Sequence, residues 1–209
     1  RRPPRSTLFP YTTPSDLITV DSLSGEADGL HVIRVTRQPI PGEDTYSRYV
    51  LREPSSLLGE PVGSLTVYLE DQMAKETQAS MLSILDRAKA KIHSFYDEKD
   101  NLDLWITVQG TSGKNFDGDS CGLALYAAIV GYGRGYGTVF EGAFLSSGTL
   151  TSVGQMTSKR SYALRENLAM VEVRTGSLST LEVGRIVSIP DISDLPRALE
   201  VLDEMAFQT

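Results

Sequence analysis

Alternating apolar and polar residues mark the first third of the chain and predict β-strands there. The stretches with this pattern are residues 17–20, 30–36, 46–52 and 64–70, with turn-rich segments between them. Residues 1–14 hold four prolines and scattered Ser and Thr, which predicts an extended lead-in. We therefore expect a lead-in over residues 1–14 and a β-rich part over residues 15–70.

The rest of the chain mixes helical and strand patterns. Apolar residues recur near the 3.6-residue period from about residue 72 to 96, which predicts a long helix with Asp71 as its candidate N-cap. Further helices are expected at 120–130, 159–168 and 195–205, and strands at 101–109, 139–145, 170–174 and 185–189. This alternation predicts an α/β (α+β) architecture, in which residues 71–209 form a second part that joins the first in one compact domain.

Composition narrows the possible chemistry. The 209 residues include one Cys and two His, so a disulfide within the chain is impossible and any zinc site would need mostly carboxylates. The net charge of −7 argues against a nucleic-acid partner. The longest apolar run, residues 123–130, is far shorter than the roughly 18 to 20 residues that span a bilayer. One Cys and the absence of an Asn-x-Ser/Thr sequence favour an intracellular, reducing setting.

Residues 115–125 (NFDGDSCGLAL) place Ser120 between a glycine-containing loop and an apolar helix. The first amides of a helix lack intrahelical partners and can hold an anion, which is what an oxyanion hole requires. Ser120 is therefore a candidate nucleophile. On this segment alone, an ordinary N-cap serine is the default interpretation.

A histidine base for Ser120 is hard to find. The Gly-x-Ser-x-Gly pattern of α/β-hydrolases needs a histidine after the serine, yet both histidines, His31 and His93, come before it. An order of His, Asp, Ser stays formally open as a His-dependent hydrolase. We expect structural roles for both, because His93 falls in the long predicted helix and His31 in a predicted strand.

Lys159 is the only lysine after Ser120. Thr157 or Ser158 could cap a helix that starts at Lys159, and a buried amine at that end favours its neutral form. A neutral amine can accept the serine proton. The alternative is a solvated first-turn lysine beside Arg160.

Two other residues near Ser120 have simpler interpretations. Cys121 could act as a nucleophile, but it is expected one residue into the helix as a small packed residue. Asp117 and Asp119 could act as paired carboxylates, although loop-shaping and capping roles are favoured.

Two sequence blocks resemble those of Lon-type proteases. Residues 117–125 (DGDSCGLAL) are similar to the family's nucleophile signature, Asp-Gly-Pro/Asp-Ser-Ala-Gly followed by aliphatic, small and aliphatic residues, with Cys121 where Ala is usual. Residues 147–156 (SGTLTSVGQM) resemble the Thr-Gly-Glu-Ile-Thr-x-x-Gly-x-Val stretch that precedes the catalytic lysine. The resemblance covers roughly residues 102–205. Without an ATPase motif, the chain looks most like the polyprotein-processing endopeptidases of birnaviruses, in which the lysine also follows the serine by some forty residues (159 − 120 = 39).

This resemblance implies a Lon-like catalytic fold over residues 71–209, with a β-rich N-terminal part, and a role for each matched residue. Ser120 would be the nucleophile and Lys159 the general base. The main-chain amides of Ser120 and Asp119 would form the oxyanion hole, and the hydroxyl of Ser147, or of its rival Ser146, would orient the lysine. No cofactor and no metal are expected.

The resemblance also implies a substrate and a setting. The protein would be a viral serine endopeptidase that processes a capsid precursor polyprotein after small, Ala-like residues through an acyl-enzyme. The substrate would bind as an extended peptide beside residues 104–109 and the loop at 110–116, including the protein's own termini in cis. The setting would be the host cytoplasm, without a membrane or nucleic-acid partner. The alternative is a non-catalytic Lon-like module for peptide binding or assembly.

Overall fold

The computed structural model describes residues 16–21, 30–39, 45–110, 120–152, 156–181 and 183–207. The predicted lead-in over residues 1–14 lies outside these ranges. The strands within them are β1 (Asp16–Asp21), β2 (Leu30–Thr36), β3 (Tyr46–Arg52), β4 (Ser55–Leu57), β5 (Glu60–Val62), β6 (Leu65–Glu70), β7 (Leu102–Gly110), β8 (Gly135–Glu141), β9 (Ala143–Phe144), β10 (Leu150–Thr151), β11 (Ala169–Val173), β12 (Ser179–Thr180) and β13 (Ile186–Ile189). The helices are α1 (Lys75–Phe95), α2 (Gly122–Ile129), α3 (Met156–Arg165) and α4 (Leu195–Phe207), with a 3-10 turn at Ile192–Asp194.

The mixed α/β (α+β) class predicted from the sequence is confirmed, and most differences are at element ends. The helix expected from residue 72 begins at Lys75 with Ala74 at the N-cap. The predicted cap at Asp71 is wrong, because its carboxylate instead accepts a hydrogen bond from the Ser47 hydroxyl at 2.6 Å. The strand expected over residues 139–145 is broken at Gly142 into β8 and β9.

The sequence interpretation missed the hairpin of β4 and β5, in a segment predicted only as turns. Its two-residue turn is Leu58-Gly59, and both residues have positive φ (54° and 82°). Two consecutive positive φ angles match the twist of a tight hairpin, and Gly59 adopts such an angle without steric cost. Strands of three residues are too short to show an alternating pattern.

Nine strands form one mixed sheet in the order β12-β13-β11-β8-β1-β2-β7-β6-β3. Strand β2 runs antiparallel to both β1 and β7, so β1 and β7 share a direction. The parallel pairs β6–β7, β1–β8, β8–β11 and β11–β13 extend that direction to six strands. The carboxyl ends of these six strands therefore lie at one edge of the sheet, which we call the carboxyl edge. The sheet combines strands from both predicted parts of the chain.

The two faces of the sheet are covered by different helices. Buried residues of α1, α2 and α4 share the main core with Phe140 and Val171 of β8 and β11. Their chain neighbours Val139 and Met170 instead join Ala163 of α3 in a smaller cluster. Because successive strand residues point to opposite faces, α3 covers one face and the other three helices cover the other.

All eight residues of α2 are buried, which fits its apolar sequence. No helix in the described ranges is long and apolar enough to cross a membrane.

Candidate active site

The turn that carries Ser120 is fixed to the end of β8 by the backbone. The Gly142 amide donates to the Ser120 carbonyl at 3.1 Å, and the Leu123 amide donates to the Gly142 carbonyl at 2.9 Å. A Cβ at Gly142 would lie 2.5 Å from a Val173 methyl, and one at Gly122 would lie 3.1 Å from the Gly142 carbonyl oxygen. The start of α2 therefore approaches β8 so closely that larger side chains would force the two apart.

Ser120 is 6% exposed and lies just outside α2. The N-cap of α2 is Cys121, which makes no side-chain capping bond. The interpretation of Ser120 as an ordinary N-cap is therefore wrong, as is the placement of Cys121 inside the helix. Within the described residues, the Ser120 amide and hydroxyl have no hydrogen-bond partner. The other proposed oxyanion residue, Asp119, lies outside the described residues, as does Asp117.

Lys159 is completely buried, with 0% of its surface exposed. Helix α3 begins at Met156, three residues earlier than predicted, so Lys159 is its fourth residue and still in the first turn. The expectation that Thr157 or Ser158 caps the helix is wrong, because both lie inside it. A solvated first-turn lysine is excluded by the burial. Ala163, one turn later on the same side of α3, packs against the sheet, which explains why Lys159 faces inward.

A buried polar network surrounds the end of α3 that carries Lys159. The Arg160 guanidinium donates to the carboxylate of Glu172 at 2.7 Å, and the Ser188 hydroxyl donates to the same carboxylate at 2.8 Å. Glu172 and Glu141 are fully buried and lie opposite each other in β11 and β8. The hydrogen bond with Glu172 raises the pKa of Arg160. The negative charges of Glu172 and Glu141 raise it further, whereas desolvation lowers it.

The sequence interpretation did not identify this network. A signal was nevertheless present, because Glu141 and Glu172 interrupt strand patterns that are otherwise largely apolar. Only the pairing of β8 with β11 brings the two carboxylates side by side.

The first turns of α2 and α3 both lie at the carboxyl edge, on opposite faces of the sheet. Residues 166–168 connect α3 to the start of β11. A ten-residue helix is about 15 Å long, about the length of a five-residue strand, so the first turn of α3 lies beside the carboxyl end of β11. The Ser120 carbonyl accepts from Gly142, just after β8, while Arg160 beside Lys159 donates to Glu172, which pairs with Glu141 of β8. Ser120 and Lys159 therefore belong to turns that lie near the same end of β8.

No hydrogen bond joins either candidate orienting hydroxyl to Lys159 among the described residues. Ser146 and Ser147 lie in an exposed turn after β9, and the Ser147 hydroxyl forms a 2.9 Å hydrogen bond with that of Thr149. Gly148, in the same turn, packs near the backbone of Arg87 in α1, on the face of the sheet that α2 also covers. The orienting role of Ser147 or Ser146 stays a prediction.

The surroundings of His93 give no support to a His-dependent hydrolase that uses it, because the groups that act on its imidazole are Arg52, Glu98 and the backbone of Lys89 and Ser64. His93 is only 1% exposed and lies in the last turn of α1. The backbone of His31 pairs with that of Gly110 across β2 and β7.

The predicted substrate location beside residues 104–109 stays a prediction. Strand β7 pairs with β6 on one side and with β2 on the other at residues 105 and 106, so an extended peptide cannot add to the strand at those two residues. Residues 111–116 of the predicted binding loop lie outside the described residues.

Stability is expected to fall as the pH is lowered from about 7 towards 5, because His93 is buried in its neutral form. Burial, followed by the charge of Arg52, lowers the pKa of His93 below its ordinary 6.5, while nearby backbone groups and Glu98 partly oppose the shift. The unfolded chain therefore binds this proton more readily than the folded chain. The contribution of His93 to the stability of the fold is complete above pH 6.5. It is lost progressively as the pH falls from there to the lowered pKa of His93 in the folded chain. Urea unfolding at several pH values should show a shallower dependence for His93→Leu, and equal dependences would contradict the prediction.

No protein-family model matches this sequence, and no curated protein matches it. The likeness to Lon-type proteases therefore rests on the two sequence blocks, while the mixed sheet and the burial of Ser120 and Lys159 are properties of the structure.

Proposed function

We propose that this protein is a serine endopeptidase of the Lon-like type, with Ser120 as nucleophile and Lys159 as general base. The main support is that Ser120 and Lys159 are both buried, in turns that lie near the same end of β8. No sequence pattern predicted that these two turns would lie at the same end of the sheet.

The chemistry follows from the two side chains. The neutral amine of Lys159 removes the Ser120 proton as the oxygen attacks a peptide carbonyl carbon. The carbonyl oxygen becomes an oxyanion held by backbone amides, among them that of Ser120. As the C–N bond breaks, the Lys159 ammonium passes its proton to the leaving amine. Water then attacks the acyl-enzyme ester, with Lys159 as base again, and releases the acid and free Ser120.

Burial explains why a lysine suits this role. An ammonium that loses its hydration is disfavoured relative to the neutral amine, and the positive end of a helix dipole acts in the same direction. Lys159 meets both conditions, because it is fully buried and lies in the first turn of α3. A lysine in water would be protonated near neutral pH and could not accept the serine proton.

The substrate class rests on the sequence resemblance. We infer that the enzyme processes a viral capsid precursor polyprotein in the host cytoplasm, cleaving after small residues in an extended segment that includes its own flanking sequences.

Mass spectrometry of an acyl-enzyme tests this function. The protein is mixed with an N-acyl-alanine p-nitrophenyl ester, and its intact mass is followed over time. The wild type and Ser152→Ala, which changes an exposed serine, should gain the acyl mass and then lose it as the ester hydrolyses. Ser120→Ala should gain none. Equal acylation of Ser120→Ala would assign the reaction to another residue. Binding of an alanine-containing peptide without any turnover would instead support a non-catalytic peptide-binding module.

A further inference from the structure

A cavity of about 270 Å³ lies between the last turns of α1, the end of α2 and the start of α4. Its apolar wall comes from Phe95, Ile192 and Pro196. Tyr126 and Tyr132 also line it, at the two sides of the turn that ends α2. The cavity is separate from the first turn of α3 and from the buried network around Glu172.

The two tyrosines bury their rings without using their hydroxyls. Tyr126 is 8% exposed and Tyr132 is 7% exposed, yet neither hydroxyl forms a hydrogen bond within the described part of the chain. Tyr96 nearby shows the usual arrangement, since its hydroxyl donates to the Ile129 carbonyl. The hydroxyl oxygens of Tyr126 and Tyr132 are not fully buried, so the small exposed part of each side chain includes its hydroxyl. Both hydroxyls can therefore donate to a ligand in the cavity that the two side chains line.

Both tyrosines are hydrogen-bond donors at neutral pH. Burial, together with the charges of Tyr132, Tyr96 and Asp191, raises the pKa of Tyr126 to about 12. Burial also raises the pKa of Tyr132. Each phenol therefore keeps its proton, and the group still lacking a partner is an O–H donor.

Lys91 adds a positive charge at the same cavity. Its ammonium forms no ion pair with any described residue, although it interacts electrostatically with Asp191. The Asp191 carboxylate is already held by the Ser193 hydroxyl at 2.6 Å, and this bond, more than any other cause, lowers the pKa of Asp191.

The other two hydroxyls of the cavity already donate hydrogen bonds within the protein. Ser193 donates to Asp191, and Ser94 donates to the Lys91 carbonyl at 2.8 Å. The donors that remain for a ligand are the Lys91 ammonium and the hydroxyls of Tyr126 and Tyr132, beside an apolar wall.

We infer that this cavity binds a small carboxylate with an apolar body, held by Lys91, Tyr126 and Tyr132. A carboxylate offers two oxygens that accept several hydrogen bonds, including one from a cation. Phe95, Ile192 and Pro196 contact the apolar body. The volume lies just below the roughly 300–1,000 Å³ of drug-sized sites, so the ligand has the size of a single-ring aromatic acid.

This site is independent of the proposed peptidase activity. Tyr126 does pack against Phe144, with ring centroids 6.0 Å apart, but neither residue takes part in the proposed chemistry. Ser120→Ala should therefore bind the carboxylate as the wild type does, and the two hypotheses can fail separately.

Titration calorimetry with phenylacetate tests the inference, with phenylacetamide as the neutral probe of the same shape. The wild type should bind phenylacetate at least about tenfold more tightly than the amide, since a hydrogen bond to a charged group is stronger than one to a neutral group. Lys91→Met and the double variant Tyr126→Phe/Tyr132→Phe should each weaken phenylacetate binding by about tenfold or more. The matched controls are Lys89→Met, two residues earlier on α1, and Tyr68→Phe, which lies in β6 outside the cavity.

Thermal unfolding separates lost contacts from lost folding. Because the two hydroxyls lack partners in the described structure, the double Tyr→Phe variant should unfold at the same temperature as the wild type or higher. Equal affinity for the acid and the amide would overturn the inference, as would unchanged binding in Lys91→Met and the double variant.

A free acid and the C-terminal residue of a peptide present the same carboxylate. N-acetylphenylalanine in the same titration distinguishes them, because its acylated nitrogen mimics a preceding peptide bond. Tighter binding of phenylacetate assigns a free acid, and tighter binding of N-acetylphenylalanine assigns a peptide end. If neither ligand binds at concentrations up to about 10 mM, the proposed site is overturned. A Kd of that size corresponds to a binding free energy of about −3 kcal/mol.

Discussion

Lys159→Arg is expected to lower kcat/KM for peptide cleavage by a factor of about 10³ or more, within the range that general-base catalysis supplies. Arginine has a similar length, but its guanidinium stays protonated and cannot accept the Ser120 proton. Lys159→Met should lose as much, because it keeps the packing volume and removes the amine. Rates of hydrolysis of the alanine ester and of a peptide measure the effect.

Ser120→Ala should reduce the rate at least as far as Lys159→Arg, and combining the two should cost little more. Residues that act as one unit in a reaction show this strong non-additivity. Lys89→Arg, on the exposed side of α1, is the matched control and should retain the wild-type rate. Substantial activity in Lys159→Arg would show that another group serves as base. Losses that simply multiply in the double variant would show that the two residues act separately.

Arg160→Met is expected to lower the free energy of unfolding by about 3 kcal/mol, the lower end of the cost of removing one partner from a buried ion pair. Glu172 is fully buried whereas Arg160 keeps 27% of its side chain exposed, so in the variant the Ser188 hydroxyl is the one described side-chain group that still donates to the buried carboxylate. Chemical denaturation followed by circular dichroism measures the loss.

The double variant Arg160→Met/Glu172→Leu gives the decisive comparison. Replacing a buried ion pair by apolar residues of similar size is often neutral, so the double variant should regain most of the lost stability. Arg197→Met removes an exposed arginine of α4 and should leave stability unchanged. If the double variant is no more stable than the single one, the burial of an unpaired Glu172 is not the cause of the loss.

Local sequence patterns predicted most of the secondary structure. β2 and β3 begin and end where alternation of apolar residues indicated, because each strand has one face against the core. Helix α1 was visible for the same reason, since Met81, Ile84, Leu85 and Ile92 lie on its buried side. The exact starts of α1 and α3 were missed, because the residues that cap a helix are chosen by contacts with distant parts of the chain, such as the bond between Ser47 and Asp71.

The chemistry of the candidate site was only partly visible in the sequence. The order of Ser120 and Lys159, and the lack of a histidine after Ser120, are enough by themselves to narrow the candidate base to a lysine. The network of Arg160, Glu172 and Ser188 was not anticipated, because its members are 12 and 16 residues apart and meet only through strand pairing. The roles of Tyr126 and Tyr132 in the cavity between α1, α2 and α4 could not be predicted either, because a sequence does not show whether a tyrosine is buried or exposed.

By itself, the sequence determined the class of fold and the identity of the candidate nucleophile and base, because both depend on residue types and short-range order. The tertiary structure decided that Lys159 is buried, that Ser120 lies outside its helix, and that the turns carrying them lie near the same end of β8. The physical reason is that burial and proximity arise from the packing of helices on opposite faces of one sheet. That packing depends on contacts such as the one between Gly142 and Val173, which join residues far apart in the chain.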